Sequence, residues 1–219
     1  MCYSFKTSIL SYTLAIISVV YAFYTRQPVL GMLILFYSQM QLSEAFIWKG
    51  IDDNNIGLNK FGTSLGKYSL PTHNIAIGIG IIIYIVLYKK EKLNIKDYIP
   101  LLIGILFYLY VVLFWYNIQN NPITKPSNPF CKDKSCQNND NRLVWPYRQE
   151  WYIISFFISI ILCFIYIKPF KSAMFINSVF LITFILSFYI SKKGSSSVWC
   201  FSAAILAPLL VFVNSRIIL

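Results

Sequence analysis

Apolar residues along the chain fall into seven blocks, each close to twenty residues long and separated by polar segments. The blocks cover about residues 4–24, 29–48, 60–88, 98–118, 150–167, 172–191 and 196–215. An α-helix rises 1.5 Å per residue, so about 20 residues cross the ~30 Å hydrocarbon layer of a bilayer. The pattern predicts an all-α fold, a polytopic membrane protein built as a bundle of seven transmembrane helices in a single domain over residues 1–219.

The third block differs from the others because its apolar part is too short. The segment IAIGIGIIIYIVLY (75–88) spans only ~21 Å as a helix. A crossing therefore has to include KYSLPTHN (67–74), which brings Ser69, His73 and Asn74 to membrane depth and lets Pro71 interrupt the helix. Such a polar, broken half-span is tolerated only where it faces protein or a water-filled cavity.

Composition supports a membrane protein and changes how the charge is interpreted. The 219 residues are 57% hydrophobic, 18% aromatic and 12% charged, with a formal net charge of +11. The basic residues cluster beside the apolar blocks, as in KKEK (89–92) and KPFK (168–171). This arrangement favours the lipid bilayer as partner and argues against nucleic acid.

The first block lacks an A-x-A-like cleavage site after it, so we expect a retained span rather than a signal peptide.

Loop lengths and loop charge predict an orientation. The short, basic loops at 25–28, 89–97 and 168–171 lie on the same side as the C-terminus, and the longest connection, 119–150, lies on the other side. Dense basic charge in short loops marks the cytoplasmic side. We therefore expect the N-terminus outside and the C-terminus in the cytoplasm, with the 119–150 loop capping the outer mouth of the bundle.

Four polar or aromatic residues of the second block share one helix face. Tyr37, Gln41, Glu44 and Trp48 follow the spacing i, i+4, i+7, i+11. A carboxylate is costly at bilayer depth, so this face is expected to point into the bundle, with Trp48 as an interfacial anchor. Lys67 enters from the same side and is the natural counter-charge of Glu44. A functional site and a structural hydrogen-bonding hub remain equal alternatives for Glu44.

These observations define a candidate intramembrane polar site. Its members are Glu44, Gln41, Tyr37, Lys67, Ser69 and His73. His73 is the single histidine of the chain, too few for a zinc site or a bis-histidine haem site. A structural hydrogen-bonding role is favoured for it over a proton relay. No metal and no cofactor are predicted.

The five cysteines fall in different places. Cys131 and Cys136, in CKDKSC, are candidate disulfide partners in the long loop. Cys2 and Cys200 both fall at the expected outer ends of their spans, where they could form a disulfide, supply thiolates or simply pack. Cys163 lies in mid-span and is expected to pack.

Three short motifs resemble an uncharacterised family of small multi-pass membrane proteins from bacteria and large DNA viruses. They are MCYS (1–4), Q-x-x-E-x-x-x-W at Gln41, Glu44 and Trp48, and SSVWCFSAA (196–204). The family's usual WP-x-W-x-P element is matched only by Leu70 and Pro71, and NRLVWPY (141–147) lacks the histidine found in its loop. The resemblance implies architecture and names residues, but it implies no reaction.

The motif residues suggest one outer-facing cluster. Cys2, Trp48, Trp199 and Cys200 are expected near one membrane face, with Glu44 at a similar depth, if the first, second and seventh helices adjoin.

Three function classes follow. The favoured one is translocation or gating of a small solute, ion or proton through the polar interior around Glu44. The alternatives are a non-catalytic module binding a lipid, ligand or partner, and a membrane-embedded thiol enzyme, with an enzyme the least favoured. A homo-oligomer remains open.

Overall fold

The computed structural model describes residues 4–115, 123–126, 143–146, 150–190 and 195–218, and within them the chain forms seven helices. They are α1 (Phe5–Tyr24), α2 (Pro28–Asp52), α3 (Ile56–Lys89), α4 (Ile95–Phe114), α5 (Glu150–Tyr166), α6 (Phe170–Ile190) and α7 (Ser195–Ile218). Six of these are long and apolar enough to cross a membrane, and α5 contributes a shorter apolar segment. The predicted all-α polytopic bundle is confirmed.

Local sequence signals set the helix ends. The Ser4 hydroxyl accepts the Thr7 N–H at 3.2 Å to cap α1, and the Asn55 side chain accepts the Leu58 N–H at 3.0 Å to cap α3. Pro28 occupies the first position of α2, where a missing N–H costs nothing. Asn94 and Asp97 form a reciprocal capping box at the start of α4.

Helix α1 ends in a Schellman turn that contains no glycine. The Gln27 N–H bonds the Ala22 carbonyl at 2.8 Å, and the Arg26 N–H bonds the Phe23 carbonyl at 3.2 Å. This geometry puts Arg26 at φ 57°, the left-handed region in which glycine is preferred. The turn therefore holds an arginine where backbone sterics favour a residue without Cβ.

Helix α2 is the centre of the bundle. It packs against α1, α3 and α7, while α1 also contacts α7. The first, second and seventh helices thus adjoin. Helix α4 packs mainly on α3, and its outward side chains, including Leu102, Leu106 and Leu113, are more than half exposed. Exposed leucines on a span of this composition fit contact with lipid.

Glycines mark the closest helix crossings. A Cβ on Gly104 would lie 2.6 Å from the Ile75 amide nitrogen, and a Cβ on Gly78 would overlap the Leu101 backbone. A Cβ on Gly80 would lie 2.5 Å from the Val29 Cα. Small residues let membrane helices approach closely, so α3 meets α4 and α2 almost backbone to backbone.

Helix α3 is one helical path made of unlike segments. An α-helix over Ile56–Ser69 leads into a 3₁₀ turn at Leu70–Thr72, a second α-helix at His73–Ile83 and a π-helical end at Tyr84–Lys89. Pro71 cannot donate a backbone N–H, which accounts for the interruption at the predicted place. The Ser69 hydroxyl donates to the Leu65 carbonyl and the Thr72 hydroxyl to the Ser69 carbonyl. Side chains thus satisfy carbonyls beside the break.

The described parts of the 119–150 connection are anchored to the first half of α3. Asn59 Nδ2 donates to the Thr124 carbonyl at 3.0 Å, and the Thr124 N–H donates to Asn59 Oδ1 at 3.1 Å. Lys125–Pro126 pairs antiparallel with Leu143–Val144. Leu143 and Trp145 are buried. The described parts of the connection therefore lie at the end of the bundle at which α2 finishes and α3 starts.

The glycine crossings predict the effect of a single added methyl group. We expect Gly78→Ala to lower the free energy of unfolding by about 1–3 kcal/mol because the α3–α4 crossing is overpacked. Thermal unfolding in detergent micelles measures it. Gly57→Ala is the matched control: Gly57 is exposed in the first turn of the same helix, and its added Cβ would meet a side chain, Asn55 Oδ1 at 3.3 Å, and no neighbouring backbone, so the loss should be much smaller. If Gly78→Ala and Gly57→Ala had the same melting temperature, the close packing of α3 against α4 at Gly78 would be contradicted.

Candidate functional site

The α2 face that carries the ionisable residue points into the bundle. Gln41 and Glu44 are completely buried, and Tyr37 and Trp48 are each 4% exposed. Trp48 lies on the same buried face, eleven positions after Tyr37, and its place at the membrane interface stays a prediction. The helical period that buries Glu44 buries Trp48 with it.

Helix α1 meets this face through a seam of small residues. Ser8, Ser11, Ala15, Ser18 and Ala22 are all buried on one side of α1. The Ser11 hydroxyl donates to Gln41 Oε1 at 2.7 Å, and it also lies 3.0 Å from the Ser8 carbonyl. Small polar residues combine close approach with interhelical hydrogen bonds, so this seam joins α1 to the polar face of α2.

Lys67 is not the ion-pair partner of Glu44. The two ion pairs between described residues are Lys49–Asp53 at 3.1 Å and Lys89–Glu91 at 3.7 Å, both exposed. Lys67 instead directs its Nζ towards the Tyr68 ring, 5.7 Å from the centroid. Lys67 is half-buried, so its flexible stem places the ammonium beside the ring of its chain neighbour.

An aromatic cluster occupies the centre of the bundle. The Tyr37 ring lies 3.9 Å from the His73 ring and 4.8 Å, edge-on, from the Trp199 ring, measured between centroids. The Trp199 ring also packs edge-on against Phe156 and Phe184. Trp199 Nε1 donates to the Thr183 hydroxyl at 3.0 Å. The cluster therefore joins α2, α3, α5, α6 and α7 at one level.

A chain of hydrogen bonds runs beside this cluster. Ser159 Oγ donates to Asn74 Oδ1 at 2.6 Å, and Asn74 Nδ2 donates to Ser155 Oγ at 3.1 Å. His73, next to Asn74, is buried and its ring lies against Tyr37 of α2. Buried polar groups on α3 and α5 thus form one network directly after the 3₁₀ turn, with Tyr37 of α2 beside it.

The Trp199 ring of the predicted outer-face cluster packs edge-on against Tyr37, and Cys200 follows it on α7. Gln27 and Asn214 are hydrogen-bonded, which sets the axial register of α2 and α7. Counted from that bond at 1.5 Å per residue, Trp199 lies ~22 Å along α7, Glu44 ~25 Å along α2 and Trp48 ~31 Å along α2. That the cluster shares one membrane face stays a prediction. Cys2 lies outside the described residues.

Cys163 and Cys200 are both buried inside the bundle. The predicted pairing of Cys200 with Cys2 stays a prediction, because Cys2 lies outside the described residues. Both thiols lie near the Tyr37 side chain. The predicted pair Cys131–Cys136 falls outside the described residues. Within the described ranges, no group of three or more His, Cys, Asp or Glu side chains is placed to hold a metal ion.

A second polar network lies at the end of the bundle where α2, α4 and α6 begin. Asn214 Nδ2 donates to Gln27 Oε1 at 2.6 Å, and the Ser172 hydroxyl donates to Asn214 Oδ1 at 2.5 Å. These three buried residues line a cavity of about 220 Å³. Arg26, Lys89 and Lys168 also line it, and we call it the basic cavity.

Apolar side chains separate the basic cavity from the central network. Leu30 of α2 and Ile81 of α3 line the inner part of the cavity. One to two turns further in, Leu33 and Ile77 are completely buried, and beyond them lie Tyr37 and His73. The interior is thus polar at two levels, and an apolar layer that includes Leu33 and Ile77, which we call the constriction, lies between them.

Several members of these networks were not predicted as site residues. Asn74, Ser155 and Ser159 carry the central network, and Gln27 and Asn214 carry the second one. Asn74 was placed at membrane depth by the sequence without being assigned to the site. A carboxamide inside an apolar block is also the signal that could have identified Asn214, because amides at membrane depth need hydrogen-bonding partners. No periodic pattern pairs Gln27 with Asn214.

Comparisons with protein-family models, with curated proteins and with solved structures find no match to this chain.

The central network predicts a stability difference between two buried serines. Ser159→Ala should lower the free energy of unfolding by about 0.5–1.5 kcal/mol, because it removes the bond to Asn74 across two helices. Ser187→Ala is the control, since the buried Ser187 hydroxyl bonds only the carbonyl of Phe184 in its own helix. Denaturant unfolding in micelles, with Asn74→Ala as the second arm of a double-mutant cycle, measures the coupling. No coupling between Ser159 and Asn74 would contradict the network.

Proposed function

We propose that this multi-pass membrane protein translocates, or gates the passage of, a small solute, ion or proton through its polar interior. The route runs from the basic cavity past the constriction of Leu33 and Ile77 to the network of Tyr37 and His73, and on to Glu44. Each of these residues lies on α2 or α3, the two helices that pack along each other through the bundle centre. Ionisable side chains inside a membrane bundle are candidates for such pathways.

The observation that carries the proposal is the break in α3. The 3₁₀ turn at Leu70–Thr72 lies immediately before His73 and Asn74, both buried in the bundle interior. Transporters bind substrates and coupling ions near the bilayer midplane at discontinuous helices, where irregular backbone supplies polar groups. The 3₁₀ turn of α3 lies directly before the polar network of Asn74, which supports the comparison with such discontinuous helices.

The apolar constriction supports gating. Leu33 and Ile77 together separate two polar levels of the interior. Hydrophobic constrictions close a pathway by excluding water and open it when neighbouring helices shift slightly. Glycine crossings at Gly78 and Gly80, on the turn after Ile77, give α3 close contacts with both α4 and α2. A small displacement of α3 would therefore change the width of the constriction.

We propose the orientation that follows from the basic loops, with the N-terminus outside and the C-terminus in the cytoplasm. The basic cavity then faces the cytoplasm. The 119–150 connection, anchored through Asn59 and Thr124, covers the outer end.

Substituting the intramembrane carboxyl group tests the proposal. In proteoliposomes with an imposed pH gradient, wild-type protein should dissipate the gradient faster than protein-free vesicles. Glu44→Gln should reduce the rate to that of protein-free vesicles, because glutamine keeps the size and polarity but cannot exchange a proton. Proton flux is read with an entrapped pH-sensitive dye, and parallel vesicles loaded for K⁺, Na⁺ and Cl⁻ extend the assay to other ions.

Asp53→Asn is the matched control. Asp53 caps the same helix, is exposed and pairs with Lys49, so its neutralisation should leave flux and thermal stability unchanged. Unchanged flux in Glu44→Gln, or no wild-type flux for any tested ion, would contradict the proposal. A Glu44→Gln variant whose only defect is a lower melting temperature would indicate the structural hub instead.

A further inference from the structure

The basic cavity has the chemistry of an anion site. Arg26, Lys89 and Lys168 line it, and Asp97 is the carboxylate among the lining residues. Asp97 Oδ2 already accepts the Asn94 N–H at 2.7 Å in its capping box. The volume of about 220 Å³ is several times the ~30 Å³ share of one water molecule, so a phosphate group fits.

Two helix N-termini add positive potential to the same cavity. The first turn of α2 contributes Pro28, Val29 and Leu30 to the wall, and the first turn of α6 contributes Ser172. Neither helix carries an acidic residue in its first turn. In contrast, Asp97 compensates the start of α4. Uncompensated N-termini favour a negatively charged ligand, and here they coincide with three basic side chains and a buried polar floor.

Arg26 is held in the cavity wall at a conformational cost. Its left-handed backbone would suit glycine better, yet the Schellman turn places arginine there. Tyr88 Oη donates to the Phe23 carbonyl at 2.7 Å and so fastens the same turn to the end of α3. Strained positions that the surrounding structure enforces are concentrated at binding sites.

A groove continues from the cavity between α1, α3 and α7. It shares Arg26 and Tyr84 with the cavity, and Tyr21, Tyr24, Tyr88 and Arg216 complete most of its wall. We call it the tyrosine groove. Tyr24 is 83% exposed at the end of α1. Tyrosines at helix ends settle at the headgroup level of a bilayer, so the groove opens where lipid headgroups and glycerol backbones lie.

We propose that the basic cavity and the tyrosine groove together bind the phosphate group of an anionic ligand, with Arg26 as its principal contact. The ligand is either an anionic phospholipid, whose glycerol part follows the groove, or a soluble phosphate that enters from the aqueous side. The planar guanidinium of Arg26 binds a phosphate through two parallel hydrogen bonds. Basic pockets between membrane helices commonly bind lipid headgroups. This inference does not depend on the proposed transport function.

Arg26→Gly separates binding from folding. Glycine removes the guanidinium and suits the left-handed backbone, so the variant should fold at least as stably as wild type without ligand. Lys90→Gly is the matched control: Lys90 is another exposed basic residue at φ 56° at the same end of the bundle, and it does not line the cavity. Both variants lose one positive charge and one strained non-glycine residue.

The measurement is ligand affinity of the full chain in detergent micelles, read as the rise in melting temperature during titration. Dioleoylphosphatidylglycerol, dioleoylphosphatidylcholine and inorganic phosphate are the three probes. Phosphatidylglycerol should stabilise wild type and Lys90→Gly, while Arg26→Gly should bind it about tenfold or more weakly. The zwitterionic phosphatidylcholine should have little effect.

The arms distinguish the source of the phosphate. Stabilisation by phosphatidylglycerol alone identifies a lipid, and stabilisation by inorganic phosphate as well identifies a soluble phosphate; either result, with loss in Arg26→Gly, supports the site. Equal responses of Arg26→Gly and Lys90→Gly would overturn the proposal. The proposal would also be overturned if neither phosphatidylglycerol nor inorganic phosphate raised the melting temperature of the wild-type protein.

Discussion

The structure depends on one requirement of the bilayer: polar groups that leave water must find hydrogen-bonding partners inside the bundle. Helix α3 shows its consequences most clearly. Pro71 interrupts the helix, hydroxyl groups of Ser69 and Thr72 bond carbonyls beside the break, and Asn74 links α3 to Ser155 and Ser159 on α5. The break is stable because neighbouring side chains complete it, and those same side chains place a polar network at the centre of an otherwise apolar bundle.

The need for hydrogen-bonding partners also determines where polar residues lie along the axis of the bundle. Gln27 and Asn214 satisfy each other at the basic end, where the cavity and its cationic rim lie. An apolar layer that includes Leu33 follows, and beyond it come the network around Tyr37 and the buried face that ends near Glu44. Polar groups thus occur in separated layers rather than in a continuous wet channel. Such layering suits a gated path, because the apolar layer blocks movement until the helices around it shift.

Periodicity within one helix was predictable, and register between helices was not. The spacing of Tyr37 and Glu44 predicted a shared face that the structure buries, and Pro71 predicted the interruption of α3. The contact of Trp199 with Tyr37 was missed because it depends on how far α7 is displaced along α2. That displacement is fixed by a hydrogen bond between residues 187 positions apart in sequence, which no local pattern encodes. The position of the Lys67 ammonium beside the Tyr68 ring was missed for a similar reason: the conformation of a flexible side chain depends on how the helices have packed.

Water access to the constriction tests the central claim most directly. In a background with the five native cysteines replaced, Leu30→Cys and Leu33→Cys would be exposed in proteoliposomes to a charged, membrane-impermeant thiol reagent from the side of the basic cavity. A gated pathway predicts rapid modification of Leu30→Cys, on the cavity wall, and slower but complete modification of Leu33→Cys as the constriction opens. Modification of Leu30→Cys with none of Leu33→Cys would contradict the account and show a sealed core.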